Sequence, residues 1–259
     1  MVFNLGTHSG PVTGAPKLTY KDDNGNVITQ YRVTEDGANW EIELLANGNI
    51  TFQNLRQQVD VFAVGGGGGG CVNGGGGGGG FTKTVYKVSI DNGETIPVTI
   101  GKGGIGGSSG GATSFGEIVS ATGGSGGGTV TDNWSTSGGS GGSGGGAFNT
   151  DSNVDKGGWR GINGADGHTG RAYIDKLDDG GDIWWYSYGG KGQGKTTGKF
   201  GEDKGGAVWQ YFGQGGWGIN QNGSDDRQNS GNGGHGGQDV YLAETQAYDG
   251  IIIIRNARS

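Results

Sequence analysis

Two glycine runs, Gly65 to Gly70 and Gly74 to Gly80, separated only by Cys71-Val72-Asn73, restrict what this chain can fold into more than any other feature. Glycine loses more backbone entropy on folding than any other residue, and such tracts usually serve as solvated linkers. With 67 glycines in 259 residues, the chain must either stay disordered or use glycine where only glycine fits. Disorder is opposed by 7 Trp, 9 Tyr and 8 Phe, too much aromatic surface for a solvated tract. Collagen is excluded, because only 3 Pro are present to fix its dihedrals. The runs, and the triplet rhythm of residues 138 to 146, match a left-handed polyproline-II-type helix of three residues per turn. Alone, such a helix has no internal hydrogen bonds. Packed side by side, polyglycine II helices can satisfy one another's N–H and C=O groups, and only glycine lets the backbones approach closely enough.

Elsewhere apolar and polar residues alternate, the mark of half-buried strands, so the expected fold class is all-β. Residues 17 to 33 read as a hairpin, with Leu18 and Tyr20 on one arm and Val27, Ile28, Tyr31 and Val33 on the other. Its turn is Asp22-Asp23-Asn24-Gly25-Asn26, where Asn-Gly supplies the positive φ. Trp40, Ile42 and Leu44 alternate with Glu41 and Glu43; Ile50 and Phe52 follow an Asn47-Gly48 turn; Val59 to Val64 is an apolar run broken by Asp60. Three consecutive strands are expected there. Tyr86, Val88 and Ile90, then Ile96, Val98 and Ile100, stand in phase on either side of Asp91-Asn92-Gly93, with Pro97 marking an edge or a bulge. Strand signals then fade until Val240 to Leu242, and the closing run Ile251 to Ile254 suits a strand buried on both faces. The expected organisation is a small N-terminal hairpin or attachment segment, 1–36, followed by a glycine-rich domain, 37–259. In that domain a β scaffold, 38–100 and 239–255, carries a glycine-rich excursion, 101–238. A structureless loop of that length is uncommon, so the excursion should have regular structure of its own.

Several functions are disfavoured. A formal net charge of −7 argues against a nucleic-acid partner, which needs Lys and Arg to displace counterions. No apolar run of about 18 residues exists, so no membrane insertion is expected. Met1 to Gly10 lack the charged-then-apolar plan of a secretory signal, which suits a virion component released by lysis. The lone Cys71 reads as a small buried residue. Gly189 to Thr196 satisfies the phosphate-loop expression, but Gly198, Gly201, Gly205 and Gly206 follow where a helix would be required. Asp22, Asp23 and Asn24 lack the downstream Glu of a calcium loop, and Asp175, Asp178, Asp179 and Asp182 read as a solvated turn. His8, His168 and His235 have no partner at ligand spacing. Nothing pairs a nucleophile with a base. The expectation is a protein that is not an enzyme, with no catalytic residues, no cofactor and no metal.

What remains is aromatic. From Trp159 to Trp217, rings interleave with glycine, polar residues and charges. They can pack as core across glycine faces, or serve as rigid anchors beside adaptable hydrogen-bonding groups on a recognition surface. The densest groups, Trp184, Trp185, Tyr186 and Tyr188, then Trp209, Tyr211, Phe212 and Trp217, are the expected ligand-binding residues.

The order of motifs resembles one family. Trp40 to Phe52, then Val59 to Val64 running into Gly65 to Gly70, Val98 to Gly104, Gly111 to Gly116 and Gly250 to Ser259 are together similar to the glycine-rich domain of phage tail proteins from gut Firmicutes. The resemblance covers about residues 37 to 259. It implies a jelly-roll-like β sandwich projecting bundled polyglycine helices, as in the adhesin tips of some long tail fibres. The aromatics Trp209, Tyr211, Phe212 and Trp217 depart from the plainer glycine expected in that stretch. The implied function is a tail-associated adhesin located in the virion, whose partners are a bacterial surface glycan or protein, other tail proteins and, in a homo-oligomer, further copies of itself. The alternative is a structural tail component, or a secreted or bacterial surface protein, with a glycine-bundle spacer and no ligand.

Overall fold

Alternation along Asn39–Leu44 buries Trp40, Ile42 and Leu44 and turns Glu41 and Glu43 outward, and the same rule builds most of the described chain. The computed structural model describes residues 14–55, 57–72, 74–128, 135–136, 138–142, 145, 148–149, 171–175, 184–188, 198–202, 212–216, 230–236 and 245–258. These residues are all-β, with no α-helix among them. One five-stranded antiparallel sheet runs β1 (Lys17–Lys21), β4 (Gly48–Gln53), β7 (Thr95–Thr99), β8 (Thr113–Phe115), β9 (Val119–Ala121). The other runs β2 (Tyr31–Asp36), β3 (Asn39–Leu44), β14 (Ile251–Asn256), β5 (Val59–Val64), β6 (Thr82–Val88). Two short ribbons complete the strands: β10 (Ser135–Thr136) with β11 (Phe148–Asn149), and β12 (Arg171–Asp175) with β13 (Trp184–Tyr188). The inner faces of both large sheets meet in one core containing Tyr20, Trp40, Ile42, Ile50, Phe52, Val61, Phe115, Ile252 and Ile254.

The Asp22–Asn26 and Asp91–Gly93 turns form, whereas Gly48 opens strand β4. The expected hairpin is realised only next to its turn, where Lys21 faces Val27 and the Ile28 N–H donates to Tyr20 O at 2.9 Å. Gly25 takes φ 83 in the Asp22–Asn26 turn, yet β1 pairs with β4 while β2 pairs with β3. Beyond that short pairing, residues 17 to 36 give one strand to each large sheet instead of a full hairpin arm at Tyr31 and Val33. The links β3 to β4, β4 to β5 and β6 to β7 likewise carry the chain from one sheet to the other. Alternation tells which residues face a core, and both sheets face the same one. Strands β8 and β9, beyond residue 100, extend the scaffold past its expected limit and bury Phe115, Val119 and Ala121.

The run Ile251 to Ile254 is buried on both faces, as its composition predicts. It sits at the centre of its sheet, with Ile254 opposite Ile42 on β3 and Val61 on β5. Ile252 and Ile254 enter the inter-sheet core. Ile251 and Ile253 join Phe62 and Val64 in a second cluster on the outer face, covered by Phe200 and Phe212. Each such isoleucine contributes about 1.5–3 kcal/mol by burial.

The glycine runs continue these strands. β5 runs into 65–71, 74–81 leads into β6, β7 runs into 101–107, 108–111 leads to β8, β9 runs into 122–128, and 245–250 leads into β14. Gly65, Gly68 and Cys71 donate their N–H groups to the carbonyls of Phe81, Gly78 and Gly75. Gly66 and Gly69 donate to Gly111 and Ser108, and Gly67 and Gly70 to Tyr248 and Thr245. The partner segment changes with each residue and returns at every third. The carbonyls behave alike: Gly66 and Gly69 accept from Gly124 and Gly127, Gly67 and Gly70 from Gly104 and Gly107, and Gly68 from Gly234, all at 2.7–3.0 Å across this set. Segment 65–71 is thus enclosed by backbone on every side and fully buried.

Close approach explains the glycine. A Cβ on Gly70 would stand 1.7 Å from His235 O, one on Gly68 2.0 Å from Ser125 O, and one on Gly77 1.8 Å from Gly68 O. Those neighbours are backbone atoms, so no side-chain rotation relieves the overlap. Positive φ is not the reason, since the described glycines in 65–70 and 74–80 all lie outside that region. Gly77→Ala should therefore lower stability by about 1–3 kcal/mol or more in chemical denaturation. Gly93→Asn, in a turn with φ 84 and nothing within 4 Å of the added atom, should cost under about 1 kcal/mol. Equal costs at the two sites would contradict the close-approach account.

Candidate functional site

The outer face of β14 carries the most densely paired charges among the described residues. Register places Arg255 between Asp60 on β5 and Glu41 on β3. Arg255 Nε donates to Asp60 Oδ2 at 3.1 Å, its Nη1 pairs with Glu202, and its guanidinium lies 4.0 Å from the centre of the Phe200 ring. Lys199 pairs with Glu41, and Tyr86 Oη donates to Phe200 O at 2.7 Å. Asp60 Oδ1 accepts the Lys87 N–H at 3.1 Å. Asp60 is 1% and Arg255 5% exposed, so neither offers a free group to a ligand. The cluster is a clamp: it holds the 3-10 turn Lys199–Gly201 across the outer face of the sheet, with Phe200 kept at φ 56, ψ 30. Asp60, legible in sequence only as an interruption of an apolar run, is half of a buried ion pair.

Phe212, expected among the surface anchors, belongs to this core instead. It is 6% exposed, and its ring centre lies 5.3 Å from that of Phe62. The reason is the apolar outer face formed by Phe62, Val64, Ile251 and Ile253, which needs cover. Phe200 serves the same purpose, 5.8 Å from Phe62.

A polar groove of about 470 Å³ lies on the outer face of the other sheet, against the Asp22–Asn26 turn. Thr51 and Thr95 share a hydrogen bond of 2.8 Å on its floor, and Asn49 Nδ2 donates to Asp23 Oδ1 at 3.0 Å. The Asp22 carboxylate accepts from Asn26 Nδ2, Asn26 N and Asn24 N at 2.8–3.0 Å. The Asn26 side chain, then the backbone donors, hold the Asp22 carboxyl below its ordinary range. The Asp22 carboxylate is thus committed to the turn and Asp23 to Asn49 on β4, and no group of metal-ligating side chains occurs among the described residues.

At the end of the glycine segments away from the sheets, the chain reverses at Cys71 to Gly74 and at Ile105 to Ser108. Val72 is 38% and Ile105 41% exposed there, while Gly106 and Gly107 take φ 59 and 80. Ser108 Oγ accepts the Ile105 N–H and Thr245 Oγ1 the Gly106 N–H, so the reversal is held by side-chain acceptors. Cys71 is buried beneath it at 6% exposure, and burial pushes its thiol up.

Of the remaining expected site residues, Trp184, Trp185, Tyr186 and Tyr188 lie on strand β13, paired with β12 in a ribbon. Trp209, Tyr211 and Trp217 lie outside the described residues, as do the glycines and lysines of 189–196. Sequence reasoning did not bring Arg171, Tyr173 and Asp175 to the same ribbon. The signal was there in the Arg-x-Tyr-x-Asp alternation before the aromatic strand.

A family model described as a glycine-rich domain matches residues 45–257. No curated protein matches the chain.

Two outcomes follow from this geometry. Arg255→Met should cost about 3–5 kcal/mol by stranding Asp60 in an apolar setting, and adding Asp60→Asn should recover part of that loss. A single-variant cost below about 1 kcal/mol would contradict the buried pairing. Cys71 should react with maleimide at least about tenfold more slowly in the folded protein than in denaturant, because burial disfavours the thiolate; equal rates would contradict its placement.

Proposed function

We propose that this chain, which belongs to the glycine-rich domain family, is a non-enzymatic recognition protein of a phage tail. In this reading a jelly-roll-like sandwich is the base, and a bundle of polyglycine II helices is the stiff body that holds aromatic segments toward a bacterial surface. The period-three exchange of hydrogen bonds along 65–71 supports the helical body, because a chain of three residues per turn presents its donors in three directions. The observation that carries the functional reading is the continuity of strand and glycine segment. Six segments rooted in the large sheets, 65–71, 74–81, 101–107, 108–111, 122–128 and 245–250, are cross-bonded into one body with reversals at its far end. Rigid scaffolds presenting loops are the common architecture of recognition.

The second reading, a spacer without a ligand, draws support from Phe200 and Phe212, aromatics of the excursion that serve the core. Binding of the fluorescently labelled chain to intact bacterial cells separates the two. The adhesin reading predicts saturable binding to cells of at least one gut Firmicute strain, weakened more than about tenfold by Trp217→Ala with little change in melting temperature. Absence of saturable binding across a broad strain panel would favour the spacer.

A further inference from the structure

Asparagine is chemically labile, and most so before glycine, whose missing side chain leaves its amide nitrogen free to approach the asparagine Cγ. Four such pairs lie among the described residues: Asn24-Gly25, Asn47-Gly48, Asn92-Gly93 and Asn232-Gly233. They share a sequence but not their surroundings.

Three of the asparagines are held by their side chains. Asn47 Oδ1 accepts the Ile100 N–H at 2.7 Å, Asn92 Oδ1 accepts the Asn54 N–H, and Asn232 Oδ1 accepts the Gln214 N–H at 3.0 Å. Each side-chain carbonyl must leave its donor before its Cγ can meet the following nitrogen. Asn232 is buried as well, and Gly48 is crowded: an added carbon there would stand 2.3 Å from Ile28 Cδ1.

Asn24 differs on each count. It is exposed, and its side chain bonds no described residue; only its backbone N–H is engaged, with Asp22 Oδ1 at 3.0 Å. Gly25 takes φ 83 and has nothing within 4 Å of the place a Cβ would occupy. The Gly25 N–H bonds Asp22 O at 3.0 Å, but Gly93 and Gly233 make the same kind of bond, to Phe52 O and Gln214 O, at 2.9 and 2.8 Å. The freedom of the side chain is what sets Asn24 apart. We propose that Asn24 is a site of spontaneous covalent modification in the folded protein, where it converts to aspartyl and isoaspartyl residues.

The chemistry needs only water. Gly25 N, having lost its proton, attacks Asn24 Cγ; the new N–Cγ bond closes a five-membered imide, the Cγ–Nδ2 bond breaks, and ammonia leaves carrying that proton. Water then opens the imide. Attack at Cγ gives aspartate, and attack at the backbone carbonyl gives the isoaspartyl linkage. Either product adds a negative charge to the turn that bears Asp22 and Asp23 and borders the polar groove over Thr51 and Thr95. The isoaspartyl form also adds a carbon to the backbone between Asp22 and Asn26, where the Asp22 carboxylate accepts the Asn24 and Asn26 N–H groups. Modification therefore alters the groove rim and leaves the glycine lattice alone.

Peptide mapping with isoaspartyl detection, after incubation of the whole folded chain in mildly alkaline buffer, tests this. Asn24 should convert at least about fivefold faster than Asn47, Asn92 or Asn232, the effect of one hydrogen bond on the rate. In denaturant, where the three restraints vanish, the four rates should converge. The Asn24 rate should rise with pH, because the attacking nitrogen must lose its proton. Asn24→Gln, an exposed substitution, should remove the earliest acidic species seen by ion exchange. Conversion of Asn24 in the folded chain no faster than that of Asn92, or persistence of the early acidic species in Asn24→Gln, would overturn the proposal.

Discussion

Everything distinctive in this molecule depends on backbone lying against backbone with no Cβ between. At Gly70 and Gly77 an added carbon would fall 1.7 and 1.8 Å from a neighbouring carbonyl oxygen. The energetics explain why the arrangement needs so many glycines in a row. Ordering one residue's backbone costs about 1–2 kcal/mol, glycine toward the upper end, and a net hydrogen bond returns about 0.5–1.5, so each residue at best roughly breaks even. A side chain in the lattice would push segments apart and strand buried donors at about 1–3 kcal/mol each. This is why 65–70 and 74–80 are unbroken glycine, while Lys102, Ser108 and Ser125 in the neighbouring segments are exposed.

A lattice that only breaks even needs an independent anchor, and the two large sheets supply it. β5, β6, β7, β8, β9 and β14 fix the spacing and direction at which glycine segments leave the sandwich. The central β14, apolar on both faces, ties the last segment to the first sheet strands. The outer cluster around Phe62 and the Arg255 clamp then draw part of the excursion back onto the sheet. The excursion is thus divided. Some of it is structural cover, as at Phe200 and Phe212, and the recognition role proposed above is assigned to other parts of it.

Inward and outward positions were legible in the sequence, because alternation at Trp40, Ile42 and Leu44 and the apolar run 251–254 encode burial directly. Strand partners were not. Asn24-Gly25 signals a reversal, which forms, but the sequence does not show that the chain pairs only at Lys21 and Val27 before crossing to the facing sheet, nor that Gly48 opens a strand. β8 and β9 escaped because three residues are too few to establish a period. Asp60 escaped because its partner Arg255 is distant in sequence and meets it only through strand register. The aromatic set could not be sorted from composition, since Phe212 as core and Phe212 as anchor look alike until Phe62 is placed beside it.

Amide hydrogen exchange resolved to single glycines tests the lattice most directly. Runs that are hydrogen-bonded in threes to surrounding backbone should exchange slowly at Gly65 to Gly70, comparably to the central strand β14, although no α-helix or sheet ladder contains them. Exchange of these amides at the rate of an unprotected chain, while β14 remains protected, would show that the glycine runs are not packed and would contradict the account.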